Sequence, residues 1–269
     1  MEDNTMTNDA IKRAKALLGN NTYKQLGTGS TAALDNARKI LKNPAGNLDV
    51  YLAFDTTGSM SPYIEVVRDN IATVTDALLE NGQRISMNGI GDHCDGENLL
   101  QMYKLSADPA EVKCALESTV MTSGGDEPEA YECLALALAQ RIPTESAGRK
   151  RAVVLVGDSI PHGMQDGSCE LNVDYKRAFA AMKTVCDGFY LVGCNQKMYT
   201  AQRTLIDSDK PEREQFIPLG SMLDILPNLL VALAKKTESA KAFADYLKQL
   251  TANDAGKAKK IAGLLGVGR

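Results

Sequence analysis

The sequence has no tryptophan, only five phenylalanines and only two histidines among its 269 residues. Little aromatic surface is therefore available for stacking nucleic-acid bases, and neither a zinc site nor a histidine-based catalytic triad is expected. No apolar run reaches the roughly 18–20 residues of a membrane helix. The polar, acidic start of the chain has no apolar secretion core. We therefore expect a soluble, cytoplasmic protein without a membrane partner.

The six cysteines are scattered, and none forms a Cys-x-x-Cys pair. Buried, reduced thiols are expected from this distribution. The two histidines stand in loop sequences, His93 after Asp92 and His162 after Pro161. Turn chemistry explains both segments, so we predict a loop residue and a rim residue rather than metal ligands.

Apolar runs alternate with helical patterns between residues 48 and 236. Strands are predicted at Leu48–Phe54, Arg84–Gly91, Leu99–Leu105, Arg151–Gly157 and Gly188–Gly193, with a short sixth at Phe216–Leu219. Apolar strands separated by helices predict a doubly wound α/β fold, with a mostly parallel sheet covered on both faces. The short link over residues 92–98 predicts that the second and third strands are antiparallel.

Both ends of the chain are predicted to be helical extensions of this central domain. Residues 1–47 contain two helical patterns, and residues 237–269 begin with an apolar stripe and end in a basic segment that is either flexible or a short docking helix. The ends are basic and the central region is acidic. Packing of the ends onto the acidic body is favoured over contact with an acidic partner.

Oxygen-bearing side chains follow two of the predicted buried strands. Asp55, Thr57 and Ser59 leave the first strand at alternate positions, and Asp158 follows the fourth. Ligands bind at the carboxyl ends of strands in such sheets, and carboxylates with hydroxyls suit Mg²⁺ or Mn²⁺. The alternative is that Thr57 and Ser59 only cap the next helix, with both aspartates solvated.

Taken in order, these segments resemble a von Willebrand factor A domain over about residues 48–236. The Asp-x-Thr-x-Ser motif at 55–59, the stretch Gly-Gly-Asp-Glu-Pro-Glu at 124–129 and the later Asp158 are similar to the three loops of its metal-ion-dependent adhesion site. The glycine-rich stretch and Gly-Asp-His at 91–93 resemble the hemicentin and alpha-kinase type. A Rossmann-like fold is what this resemblance implies.

The resemblance also implies a set of metal-site residues: Asp55, Thr57, Ser59, Asp126 and Asp158. Thr57 and Ser59 would coordinate by their hydroxyls, and Asp55 and Asp158 directly or through another ligand. In the third loop the integrin type has a threonine ligand. Here Thr122 and Ser123 stay open beside Asp126, which is favoured because it stands between the glycines and the following helix, where it would face the cation.

The function implied is a non-enzymatic, cation-dependent adaptor or scaffold. An aspartate or glutamate of a partner protein would complete the coordination of Mg²⁺. The partner class implied is a multiprotein assembly, in some cases with an AAA-type ATPase. Two alternatives are a Mg²⁺-dependent phosphohydrolase with Asp55 as nucleophile and a nucleic-acid adaptor that uses the basic termini.

Overall fold

A computed structural model describes residues 48–80, 82–165 and 167–266, so the predicted extension over residues 1–47 lies outside the described residues. The described part contains a six-stranded sheet. Its strands are β1 Leu48–Asp55, β2 Arg84–Ile90, β3 Leu100–Met102, β4 Lys150–Gly157, β5 Gly188–Gly193 and β6 Glu214–Pro218. They lie in the order β3-β2-β1-β4-β5-β6.

The sheet is parallel except at one edge. β1 pairs in parallel with β2 and β4, and β4, β5 and β6 continue the parallel pairing. β3 runs antiparallel to β2. The predicted doubly wound, mostly parallel sheet with one antiparallel strand is therefore confirmed.

Helices cover both faces of the sheet. They are α1 Ile64–Glu80, α2 Pro109–Ser118, α3 Tyr131–Glu145, α4 Tyr175–Val185, α5 Tyr199–Arg203, α6 Met222–Glu238, α7 Ala240–Asn253 and α8 Ala255–Leu264. Among the described helices, none is both long and apolar enough to cross a membrane. The sequence patterns predicted most of these helices, but not α5, because five residues are too few to show a helical period.

Alternation along β1 divides the core into two layers. Val50, Leu52 and Phe54 pack with α1, α2 and the C-terminal helices on one face. Tyr51 and Ala53 point to the other face, where they pack with α3 and α4. Successive side chains of a strand point to opposite faces, so a strand that is apolar throughout can support both layers.

The described C-terminal segment is helical and packs on the main body. Phe243 and Leu250 of α7 and Ile261 of α8 are buried in the same core layer as α6. Lys257 also lies 3.5 Å from Asp224 at the start of α6. One basic residue of the C-terminal helices, Lys257, therefore contacts an acidic residue of the body.

The link between β2 and β3 is a 3₁₀ turn rather than a simple hairpin loop. It spans His93–Asn98, with Gly96 at φ 61°. This left-handed backbone is easily adopted by glycine. The turn brings His93 into the protein, where it is buried, instead of leaving it in an open loop.

Candidate functional site

The candidate site lies where the order of the strands changes direction. β1 leads to β2 on one side, whereas β4 leads to β5 on the other, and β1 and β4 are neighbours. The carboxyl ends of β1 and β4 therefore open into the crevice that binds ligands in doubly wound sheets. Asp55 is the last residue of β1, and Asp158 directly follows β4.

A continuous chain of contacts joins four of the predicted site residues. Asp55 Oδ1 accepts hydrogen bonds from the Thr57 backbone N–H at 2.8 Å and from the Thr57 hydroxyl at 2.7 Å. Thr57 Oγ1 lies 3.2 Å from Ser59 Oγ. Ser59 Oγ donates to Asp158 Oδ1 at 3.0 Å. The structure thus brings Asp55, Thr57, Ser59 and Asp158 together.

The simple capping alternative does not describe these residues. Thr57 precedes a 3₁₀ turn over Gly58–Met60 but makes no side-chain capping hydrogen bond to it. Asp55 is fully buried and Asp158 is 4% exposed, so neither carboxylate is solvated. Ser59 is exposed, which leaves one side of the group open to solvent.

The Thr57 and Ser59 hydroxyl oxygens have the spacing of two neighbouring ligands of a small cation. Thr57 Oγ1 lies 2.7 Å from Asp55 Oδ1, and Ser59 Oγ lies 3.0 Å from Asp158 Oδ1. The two hydroxyl oxygens are 3.2 Å apart, and either hydroxyl can be the donor between them. Ligands of Mg²⁺ at about 2.0–2.1 Å in octahedral geometry are about 3 Å from their neighbours. This pair of oxygens fits such a cation.

Burial makes negative charge costly at this site. Burial raises the pKa of Asp55 to about 6, and the nearby charge of Asp158 adds to the rise, while hydrogen bonds from Tyr131 and Thr57 oppose it. Burial also raises the pKa of Asp158. A bound cation would compensate both carboxylates, because an opposite charge nearby favours the ionised form.

Tyr131 holds the second oxygen of Asp55 and was not predicted from the sequence. Its hydroxyl donates to Asp55 Oδ2 at 2.5 Å and accepts from the Ser159 backbone N–H at 3.3 Å. Tyr131 is fully buried at the start of α3. It therefore ties the ends of β1 and β4 to a third element of the fold.

The third loop packs against the first through its backbone. Gly58 N donates to the Ser123 carbonyl at 3.2 Å, and Thr122 N donates to the Thr56 carbonyl at 2.8 Å. The Thr122 hydroxyl lies 3.3 Å from the Thr56 hydroxyl. These contacts place Thr122 and Ser123 beside the first loop but show neither side-chain oxygen joined to the Asp55–Asp158 group.

The contacts of Asp126 lead away from that group. Its carboxylate Oδ1 lies 3.3 Å from His162 Nε2, and its side chain is 58% exposed. Its assignment as a metal ligand stays a prediction. Two glycines precede Asp126, and Gly124 adopts a φ of 71°. The sequence does not reveal the direction in which the backbone turns there, and so does not reveal where the Asp126 side chain lies.

Glu129 is the carboxylate of this loop that lies nearest to Thr57 in the described contacts. A Cβ added at Gly124 would meet Thr57 Cβ at 3.2 Å and Glu129 Oε1 at 3.3 Å. Glu129 is 2% exposed, and within the described part of the chain its Oε2 has no hydrogen-bond partner. Burial, and next the charge of Asp55, raise the pKa of Glu129 to about 10. A buried carboxylate oxygen without a donor is a further group that a cation would satisfy.

Comparisons with known proteins show similarity at the level of the fold alone. No protein-family model matches the sequence, and no curated protein matches it significantly. The pilus adhesin SpaC from Lactobacillus rhamnosus GG, in its open conformation, is similar with a TM-score of 0.53 and 13% identity. The match covers 72% of this chain and 31% of SpaC, so the chain spans about a third of the adhesin.

A second structure, of BatB from Bacteroides thetaiotaomicron, gives a TM-score of 0.39 at 18% identity, over 55% of this chain and 66% of that one. A TM-score this low supports no conclusion. At 13% identity, the SpaC likeness extends to the fold alone. The six-stranded sheet with helices on both faces is consistent with the Rossmann-like von Willebrand factor A fold.

Proposed function

We propose that this chain is a cation-dependent protein-binding module, an adaptor or scaffold without catalytic activity of its own. The observation that carries the proposal is the pair of hydroxyl oxygens on Thr57 and Ser59. They lie 3.2 Å apart, at 2.7 Å and 3.0 Å from the carboxylate oxygens of Asp55 and Asp158 respectively. Mg²⁺ or Mn²⁺ would be held by these hydroxyls together with Asp158, and Asp55 would position Thr57. Glu129 and Asp126 are the carboxylates available from the third loop.

When bound, the cation supplies a coordination position that a carboxylate of another protein can take. Ser59 is the exposed member of the group, so a partner's aspartate or glutamate would approach over this residue. The negative residues around the site would otherwise repel such a side chain. Binding is therefore expected only when the cation is present, and an assembly partner such as an AAA-type ATPase would need an exposed acidic residue.

Two features support binding rather than phosphoester hydrolysis. Both oxygens of Asp55 already accept hydrogen bonds, from Thr57 and from Tyr131, and the residue is fully buried. A nucleophilic carboxylate needs a free oxygen that can reach the substrate. The fold is also shared with part of SpaC, which is a pilus adhesin.

A pull-down with matched variants tests the proposal. The immobilised chain should recover a partner from a lysate of its source organism in Mg²⁺, and a chelator or the substitution Ser59→Ala should remove that partner. The control is Ser61→Ala, because Ser61 is an exposed serine on the same loop whose hydroxyl contacts only the Gly58 carbonyl in the described contacts. Equal recovery with and without chelator would contradict the proposal.

A further inference from the structure

Four ligand-type side chains converge at a second place, beside the first turn of α3. His93 comes from the 3₁₀ turn after β2, Glu132 and Cys133 from the start of α3, and Cys169 from the loop between β4 and α4. One atom of each lies within 4.8 Å of the others. All four residues are buried, and Glu132 and Cys133 are fully so. Three separate segments therefore direct nitrogen, sulfur and oxygen to one point.

We propose that His93, Glu132, Cys133 and Cys169 form a buried site for a transition-metal ion, and that Zn²⁺ is the ion that fits it best. The site is independent of the proposed Mg²⁺ site. It uses different residues and a different ligand chemistry, since thiolates and imidazole favour Zn²⁺ whereas hard oxygen ligands favour Mg²⁺.

The distances among the four ligand atoms agree with a tetrahedron around zinc. Cys133 Sγ lies 3.6 Å from Cys169 Sγ, and His93 Nε2 lies 3.6 Å and 3.3 Å from those two sulfurs. Glu132 Oε1 lies 3.6 Å from both Cys133 Sγ and His93 Nε2. Zinc with sulfur at about 2.3 Å and nitrogen at about 2.0–2.1 Å sets two sulfurs about 3.8 Å apart and sulfur and nitrogen about 3.5 Å apart.

The surroundings of the four residues also suit a metal. His93 directs Nε2 to the sulfurs, and its Nδ1 lies 3.5 Å from Asp92 Oδ1. A carboxylate on the far nitrogen of a histidine is the usual partner of a zinc ligand, because it fixes the ring and its tautomer. Glu132 Oε2 accepts from the His162 backbone N–H at 3.0 Å, and Oε1, the oxygen on the side of the sulfurs, also lies 3.3 Å from His162 Nδ1.

A disulfide between Cys133 and Cys169 would explain less of this arrangement. The sulfurs lie 3.6 Å apart, whereas a disulfide bond is about 2.0 Å long. A disulfide would use two of the four converging groups and leave the His93 and Glu132 ligand atoms unused. Zinc binding instead uses all four: the two thiol protons are lost to solvent, and the dication offsets two of the three negative charges of two thiolates and one carboxylate.

Metal analysis of the full chain, freed of any affinity tag, tests the proposal. After incubation with Zn²⁺ and removal of excess by gel filtration, the wild-type chain should retain about one zinc ion. Replacement of Zn²⁺ by Co²⁺ should give the intense sulfur-to-metal charge-transfer absorption of a tetrahedral thiolate site. The work should be done in a Cys94→Ser, Cys114→Ser background, because those two thiols are exposed and bind metal adventitiously.

Matched substitutions locate the ion. Cys169→Ser should abolish zinc retention and the Co²⁺ absorption, whereas Cys186→Ser should leave both unchanged. Each cysteine is 5% exposed, but the charged groups that act on Cys186 include none of the four proposed ligands. Asp92→Asn should weaken zinc binding by about 10–100-fold. Ser59→Ala should leave it unchanged, which separates this site from the Mg²⁺ site.

Three results would overturn the proposal. One is a wild-type chain that retains no zinc and shows no Co²⁺ charge-transfer band, a result that does not depend on whether any variant folds. Another is mass-spectrometric detection of a Cys133–Cys169 disulfide in the chain purified under reducing conditions. The third is equal zinc retention by the Cys169→Ser and Cys186→Ser chains, with folding of both checked by circular dichroism.

Discussion

Thr57 and Ser59 each place a hydroxyl oxygen beside a carboxylate, at 2.7 Å from Asp55 and 3.0 Å from Asp158, and the two hydroxyl oxygens lie 3.2 Å apart. Burial raises the pKa values of Asp55, Asp158 and Glu129, so that ionisation of these neighbouring groups is costly in the metal-free protein. An opposite charge nearby favours the ionised form of a carboxylate. The proposed cation would therefore bind most strongly to the site with its carboxylates ionised.

Tyr131 donates the hydrogen bond that holds the second carboxylate oxygen of Asp55, so removal of its hydroxyl should lower the stability of the protein. Tyr131→Phe removes the hydroxyl that donates to Asp55 Oδ2 and leaves this buried oxygen without that donor. We expect the free energy of unfolding of the metal-free chain to fall by about 1–3 kcal/mol, measured by urea denaturation.

The control for that substitution is Tyr190→Phe. Tyr190 is also fully buried, but its hydroxyl has no hydrogen-bond partner among the residues that the structure describes. Removing an unsatisfied hydroxyl should leave stability unchanged or raise it slightly. Equal losses for the two variants would mean that the Tyr131–Asp55 bond contributes nothing specific.

At the scale of elements, the end of β4 is shaped to let α3 reach the end of β1. A Cβ added at Gly157 would lie 2.0 Å from the Tyr131 hydroxyl and 3.3 Å from Asp55 Cβ. The last position of this strand therefore has no space for a side chain. It is the close approach of another residue, and not an unusual φ, that requires glycine here.

Gly157→Ala should displace the Tyr131 ring and separate its hydroxyl from Asp55. We expect a loss of about 1–3 kcal/mol in the free energy of unfolding, as for other overpacked cores. Gly220→Ala is the matched control, because a Cβ at Gly220 meets nothing within 4 Å and should change stability by about 0.5 kcal/mol or less. Thermal denaturation of both variants checks this, and an unaffected Gly157→Ala chain would show that the described contact is wrong.

The elements that the sequence predicted well are those with a clear period. β5 has the predicted bounds, and β4 begins one residue earlier than predicted, because β5 and the part of β4 after Arg151 are continuous apolar runs. Asp55, Thr57, Ser59 and Asp158 could be placed together because residues at the carboxyl ends of parallel strands share one edge of the sheet. Their common location follows from topology, without knowledge of any loop.

The sequence patterns could not predict the conformations of loops or the contacts between residues far apart in the chain. Asp126 and Glu129 are both acidic residues in one glycine-rich stretch, and only the turn at Gly124 decides which of them lies against Thr57. The histidines were expected to be loop residues, yet His93 and His162 are buried with ring centroids 4.4 Å apart. No Cys-x-x-Cys spacing marks Cys133 and Cys169, which meet across 36 positions.

At the scale of the whole molecule, the two proposed metal sites share one structural element. The first turn of α3 carries Tyr131, which bonds Asp55, directly followed by Glu132 and Cys133. His162 follows the Asp158 loop and joins Asp126 to the second cluster. Zn²⁺ bound by His93, Glu132, Cys133 and Cys169 would therefore also restrain the backbone around the proposed Mg²⁺ site, because the two sites share the first turn of α3.

Either metal should stabilise the chain as a whole, because a ligand that binds only the folded state adds to its stability. The positions involved lie on β1, β4, α3 and the loops between them, at the centre of the sheet. The acidic body contributes as well, since the charge excess around the strand ends attracts cations and opposes partners with free carboxylates until a cation is bound.

The most direct measurement is calorimetric titration of the metal-free chain with Mg²⁺ and Mn²⁺ at neutral pH. The wild-type chain and Ser61→Ala should each bind about one ion. Ser59→Ala should lose this binding, because the Ser59 hydroxyl contacts both Thr57 and Asp158, whereas the Ser61 hydroxyl contacts the Gly58 carbonyl. Absence of uptake by the wild-type chain up to about 10 mM of either cation, above the weakest range of protein sites for divalent cations, would contradict a metal-dependent function.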